Sequence, residues 1–218
     1  MKKTVAIVPI KSKSERIPGK NLKRINGIPF YQFLLRKLKY CKFDDVYIDT
    51  DNNEIKLYAK KNNFKVINRL KRLAAKNANG NDLLNYHSKI ISADFYFQLF
   101  VTSPLLSVNS INKSIKILKN NKKIDSILTS KSVYTWYWFK GKPVNYNPRT
   151  LPRSQDALPV VYETTGLYGI KKRSLKKYKS RIGVKPYFLE VDDEEAIDID
   201  NKKDLEYLKH IINKKFKK

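Results

Sequence analysis

Thr4-Val5-Ala6-Ile7-Val8-Pro9-Ile10 runs directly into Lys11-Ser12-Lys13-Ser14-Glu15-Arg16-Ile17-Pro18-Gly19-Lys20-Asn21. The first segment is short, apolar on both alternating faces and rich in β-branched residues, which predicts a strand buried on both sides, as in a parallel sheet. The second is a polar loop leaving the carboxyl end of that strand, the place where open α/β sheets bind ligands. The remaining chain repeats the theme. Short apolar runs at 46–49, 65–68, 94–101, 125–129, 160–170 and 186–191 read as strands. Helix-period segments separate them: 29–40 with Pro29 in its first turn, 52–62, 82–91, 108–119, and 201–212 at the end. This alternation predicts an α/β fold built on a mostly parallel sheet. It breaks at about Val133, where Tyr134-Thr135-Trp136-Tyr137-Trp138-Phe139 and Gly141-Lys142-Pro143 read as an aromatic excursion over 133–147. One domain over 1–213 is expected, with a disordered basic tail over 214–218.

Composition narrows the function. Cys41 is the single cysteine of 218 residues, so an internal disulfide is excluded and no zinc spacing exists. The apolar run at the start ends at Lys11 without a small-residue cleavage site, and no run approaches a membrane span, so a cytoplasmic protein is expected, with no membrane partner. The net charge of +26 invites nucleic acid. However, Lys37, Lys60, Lys113, Lys116 and Lys209 are spread over the expected helices, and no nucleic-acid-binding motif organises them. The charge is therefore read as a general lysine bias that favours anionic substrates, with nucleic acid not expected as a partner.

Two places carry candidate chemistry. The first loop offers Lys11, Lys13, Arg16 and Lys20 with the hydroxyls of Ser12 and Ser14. A triphosphate calls for that mixture of point charges, a planar fork and backbone amides, although the Walker spacing is absent and a solvated basic loop is the plainer reading. The second is Ala196-Ile197-Asp198-Ile199-Asp200. In extended chain Asp198 and Asp200 share a face while Ile197 and Ile199 point into the core. Two carboxylates suit Mg2+, which keeps waters and takes substrate phosphate oxygens. The plainer reading makes Asp200 the N-cap of the helix from Asn201. Asp51 can likewise cap the helix from Asn52, and His87 and His210 lie in helices without partner signatures, so neither is expected in catalysis.

With those residues in view, the chain resembles the acylneuraminate cytidylyltransferases, the CMP-sialic acid synthetase family. The likeness runs in order through Lys11, Ser14 and Ile17-Pro18-Gly19-Lys20-Asn21, then Asp49-Thr50-Asp51-Asn52, Asn68-Arg69-Leu70 and Thr102-Ser103-Pro104-Leu105. It continues through Leu151-Pro152-Arg153-Ser154-Gln155-Asp156, Thr164-Thr165-Gly166-Leu167-Tyr168 and Ile197-Asp198-Ile199-Asp200. It implies a three-layer, Rossmann-like nucleotidyltransferase fold and transfer of CMP from CTP to an acidic 2-keto sugar. Lys11, Ser14 and Lys20 would then contact the phosphates, with Arg16 beside them, and Asn21 the cytosine or ribose. Arg69 would also serve the nucleotide, while Arg153, Gln155 and Thr165 would face the sugar. Asp198 and Asp200 would hold Mg2+, with Lys20 completing the catalytic set. The aromatic excursion would form a homodimer contact. Glu15, Phe100 and Leu106 depart from the family pattern, and Phe100 stands where the family has a glutamine that bears on the sugar.

Overall fold

All seven residues of β1 (Thr4–Ile10) are buried, and their side chains divide between two cores. Val5 and Ile7 meet Leu84, Tyr96, Ile170 and Leu175; Ala6, Val8 and Ile10 meet Leu34, Ile55, Ile111 and Leu208. A strand that is apolar on both faces thus sits in the middle layer of three. The computed structural model describes residues 2–75 and 77–216.

After β1 come a small hairpin of β2 (Arg24–Ile25) and β3 (Ile28–Pro29), α1 (Gln32–Leu38), β4 (Asp45–Thr50), α2 (Asn53–Lys61), β5 (Lys65–Asn68), α3 (Lys71–Ala74), α4 (Gly80–Ile90) and β6 (Phe95–Leu99). Then follow α5 (Val108–Asn120), β7 (Ser126–Val133), the hairpin β8 (Trp138–Phe139) and β9 (Lys142–Pro143), β10 (Val160–Lys171), α6 (Lys172–Tyr178), β11 (Pro186–Glu190) and α7 (Lys202–Phe216). The main sheet has the order β11-β7-β10-β6-β1-β4-β5. Its strands run parallel except β10, which is antiparallel to both β6 and β7. Helices α1, α2, α5 and α7 cover one face, and α4 and α6 the other. The chain leaves β1 toward β4 on one side and returns to β6 on the other, which places a topological switch point at the carboxyl end of β1.

Three expectations change. Pro29 does not open a helix: Asn26 and Gly27 both take positive φ, close the tight turn of the β2–β3 hairpin and draw Pro29 into a strand. Helices α3 and α6 were not foreseen, because each is short and basic and offers too few apolar positions for a period to show. The last helix continues to Phe216, so Lys214 to Phe216 are helical rather than tail, while Lys217 and Lys218 lie outside the described residues.

Candidate active site

The first loop folds back to tuck one of its cations inward. Gly19 takes φ +64, a left-handed turn that costs glycine little, and it precedes a 3-10 turn over Lys20–Leu22. Lys20 is thereby only 7 % exposed. Its Nζ donates to the carbonyl of Ile199 at 2.5 Å. Burial lowers the Lys20 pKa, with the charges of Asp200 and Asp198 working against that. Asn21 closes the loop by donating from Nδ2 to the Lys11 carbonyl at 2.8 Å. The loop's start is pinned at Ser12, whose N–H and hydroxyl both donate to the Asp51 carboxylate at 2.7 Å. Asp51 therefore does not cap α2; Asn52 does, accepting from the Ile55 N–H. Lys11 meets Glu15 at 3.6 Å, so the departing acid partly offsets a loop cation.

Asp198 and Asp200 reach the same place by a route other than a sheet strand. Residues 197–200 lie outside the sheet, tethered by the Ile199 N–H to the Thr102 carbonyl at 2.8 Å. Ile199 is fully buried as expected. The helix cap is Asn201, not Asp200: Asn201 Oδ1 accepts from the N–H groups of Lys203 and Asp204, and Asp204 Oδ2 accepts in return from Asp200 and Asn201. That reciprocal box leaves the Asp200 side chain free for Arg16, which pairs with it at 2.5 Å. Asp198 lies deeper. Burial pushes its carboxyl pKa up, the neighbouring Thr102 hydroxyl acts against that, and the Asp200 charge adds to it. Its Oδ1 is buried and makes no hydrogen bond. A desolvated acid with an orphaned oxygen is a fitting donor for a divalent cation, and Asp200, paired here with Arg16, is the neighbouring carboxylate that could join it. Among the described residues no group of three or more acidic, His or Cys side chains forms a metal cage.

A cavity of about 270 Å³ opens beside these groups, lined by Lys11, Ser14, Lys20, Asn21, Arg69 and Arg181 among others. The acidic pair stands just beyond that lining, joined to it through Lys20 and Thr102. Arg69 lines the cavity but is itself buried, with its fork on Asp49 at 3.0 to 3.2 Å. His87 Nε2 meets the same carboxylate at 3.0 Å. Burial works to raise the Asp49 pKa, and the bonds from His87 and Arg69 overcome it, so the carboxyl stays below its usual range. His87 is therefore part of a buried ionic prop, in keeping with a non-catalytic reading, and His210 is exposed on α7.

The expected sugar-side residues divide. Thr165 falls in the irregular stretch of β10 between Glu163 and Tyr168, at φ +59, close enough to Asp198 to act on it. Arg153 and Gln155 are exposed and outside the cavity lining, with Arg153 paired to Asp156 at 2.7 Å. Arg181 was not singled out from the sequence. It lies in a basic stretch after α6, and only the fold brings it over the Tyr168 ring, 3.6 Å from guanidinium carbon to ring centre. Among the described residues no helix is long and apolar enough to cross a membrane.

With this geometry established, comparison with known proteins places it. A family model described as Cytidylyltransferase matches residues 5–216. N-acylneuraminate cytidylyltransferase A of Danio rerio is 25% identical over 205 residues, covering 89% of this chain and 47% of the relative. The chain thus spans about half the length of such relatives. The 3-deoxy-manno-octulosonate cytidylyltransferase of Rickettsia akari is also 25% identical, over 198 residues, covering 84% of this chain and 76% of the relative. Among solved structures, a CMP:2-keto-3-deoxy-manno-octonic acid synthetase complexed with CTP superposes with a TM-score of 0.74 at 17% identity, covering 98% of this chain and 99% of the other. That likeness extends to the whole three-layer fold. The match over nearly every residue shows that this chain belongs to the cytidylyltransferase family.

Proposed function

We propose that the chain transfers CMP from CTP to the anomeric hydroxyl of an acidic 2-keto sugar of the nonulosonic type, releasing pyrophosphate. The observation that carries this reading is the convergence at Lys20: a cation of the first loop is buried on the carbonyl between Asp198 and Asp200. Loop cations and acidic groups from opposite ends of the chain therefore meet at the edge of one cavity. The hydroxyl oxygen bonds to the α-phosphorus, the bond to the bridging oxygen breaks, and the hydroxyl proton passes to water. Lys11, Ser14 and Lys20 bind the phosphates, and Arg16 offsets charge on the departing pyrophosphate. Asn21 borders the cytidine, and Arg69 is held rigid beside it by Asp49. Thr165, Arg153 and Gln155 are assigned to the sugar, the last two requiring movement or a second subunit to reach it. Mg2+ held by Asp198 and Asp200 would supply charge neutralisation at the phosphates. Positioning and charge stabilisation carry most of the rate in such a reaction.

Both sialic-type and octulosonate-type relatives match this chain, and Thr102-Ser103-Pro104 favours the neuraminate branch. The test is pyrophosphate release from CTP, UTP, GTP and ATP with Mg2+ against N-acetylneuraminate, legionaminate, pseudaminate and 3-deoxy-manno-octulosonate. CTP with one of the nonulosonic acids is expected to react. Turnover with a sugar 1-phosphate and none of these acids would overturn the reading. The exposed aromatic arm, where Trp136 stacks on Tyr146 at 5.6 Å and Trp138 and Phe139 face solvent, supports a homodimer through this arm. Light scattering at micromolar concentration should give twice the chain mass.

A further inference from the structure

Among the described residues, Arg16 and Arg69 beside the loop and acidic pair each have a carboxylate partner, and Arg181 does not. Arg16 pairs with Asp200 and Arg69 with Asp49. Arg181 lines the same cavity, and among the described residues no carboxylate pairs with it. Its guanidinium carbon lies 3.6 Å from the centre of the Tyr168 ring and 5.6 Å from that of Phe100, and among the described residues its N–H groups have no hydrogen-bond acceptor. The position is built rather than incidental. The Arg181 N–H donates to Asn81 Oδ1 at 2.8 Å, and Asn85 Nδ2 donates to the Lys179 carbonyl at 2.6 Å, which fastens the segment to α4. At Gly80 a Cβ would lie 2.6 Å from Arg181 Nη1, so the bare backbone there makes room for the guanidinium. Tyr168 is fixed in turn by its hydroxyl, which donates to Glu163 at 2.6 Å.

We propose that Arg181 binds the carboxylate of the acceptor sugar and sets the enzyme's demand for an acid; this rests on the acceptor assigned above. The phosphates already have the cations of the first loop, whereas Arg181 stands beside Phe100, which lines the same cavity and offers a ring face to the carbon skeleton of a sugar. Asp198 and Arg181 both lie close enough to Tyr168 for their charges to act on it. In a cyclic 2-keto acid the carboxylate and the attacking hydroxyl share one carbon. A fork that fixes the first therefore aims the second toward the acidic pair. Phe100 replaces the glutamine of the family pattern beside Arg181, so a charged contact takes over where an amide contact is missing.

The test compares the acid that the wild type uses best with its methyl ester, in wild type, Arg181→Met and Arg181→Lys. Loss of a charged bidentate contact should raise the acceptor KM of Arg181→Met about ten- to a hundredfold. The KM for CTP and the CTP-induced rise in melting temperature should stay within about twofold of wild type. Wild type should prefer the free acid to the ester, Arg181→Met should lose that preference, and Arg181→Lys should fall between them. Should Arg181→Met fail to fold, Gly80→Ala, which displaces the guanidinium, should raise the acceptor KM in the same sense. An unchanged acceptor KM, or an equal rise in the KM for CTP, overturns the assignment of Arg181 while the cytidylyltransfer reading stands. A wild type that neither binds CTP nor turns over any of the acids removes both.

Discussion

Two ionic clusters stand at the carboxyl ends of the central strands, and they differ in how far their charges are satisfied. In the first, Asp49 at the end of β4 takes three contacts from the Arg69 fork and one from His87, all three side chains buried. In the second, Asp198 has an oxygen without a partner, Lys20 rests on a carbonyl rather than a carboxylate, and the Arg16–Asp200 pair is solvent-exposed. The closed cluster holds the floor of the cavity. The open one has charge left over for a ligand. Both clusters are built on aspartate and arginine, and their partners are what set the satisfied one apart from the one proposed for chemistry.

The sharpest way to break this contrast is to exchange the effects. Asp49→Asn leaves the buried Arg69 without its counter-charge and should cost about 3–5 kcal/mol of stability, read from urea midpoints. A shift under about 1 kcal/mol would mean that the first cluster is not a structural prop.

Lys20→Ala should do the opposite. Removing a cation that burial already penalises should leave the fold intact, yet raise the KM for CTP and lower kcat, for a loss of about a hundredfold in kcat/KM. Wild-type kinetics in folded Lys20→Ala would remove the loop from the mechanism.

Acid provides a smaller probe. The Asp49 pKa is depressed in the folded state, so its contribution is fully present above the ordinary carboxylate value near 4 and is lost as pH falls through the lower folded value. Wild type should therefore lose stability on acidification in that range more steeply than Asp49→Asn. Parallel pH profiles for the two proteins would contradict the assignment.

The strand and loop at 4–21 were legible because burial on both faces and clustered cations are local patterns. Likewise Asp198 and Asp200 stood out by their i, i+2 spacing beside apolar neighbours. Their backbone setting did not: a hydrogen bond to Thr102 stands in for strand pairing, and Asn201 takes the cap that position alone would give to Asp200. Asp49, Arg69 and His87 come from three separate segments, joined by the β4–β5 pairing and the docking of α4. Nothing in the local sequence announces such a meeting. Arg181 was hidden for a related reason: among 46 Lys and Arg residues its neighbours read as solvated surface, and its role depends on Tyr168, Gly80 and Asn81 being brought to it.

The open cluster is the proposed reaction centre. It is tested most directly by measuring melting temperature and Mg2+-dependent pyrophosphate release from CTP on Asp198→Asn, with an accepted sugar acid present. Since burial disfavours the Asp198 charge and Asn201 supplies the cap, stability should change by less than about 1 kcal/mol. Turnover should fall by orders of magnitude, because the charge that holds the cation is gone. Normal turnover in a fully folded Asp198→Asn protein would contradict the account.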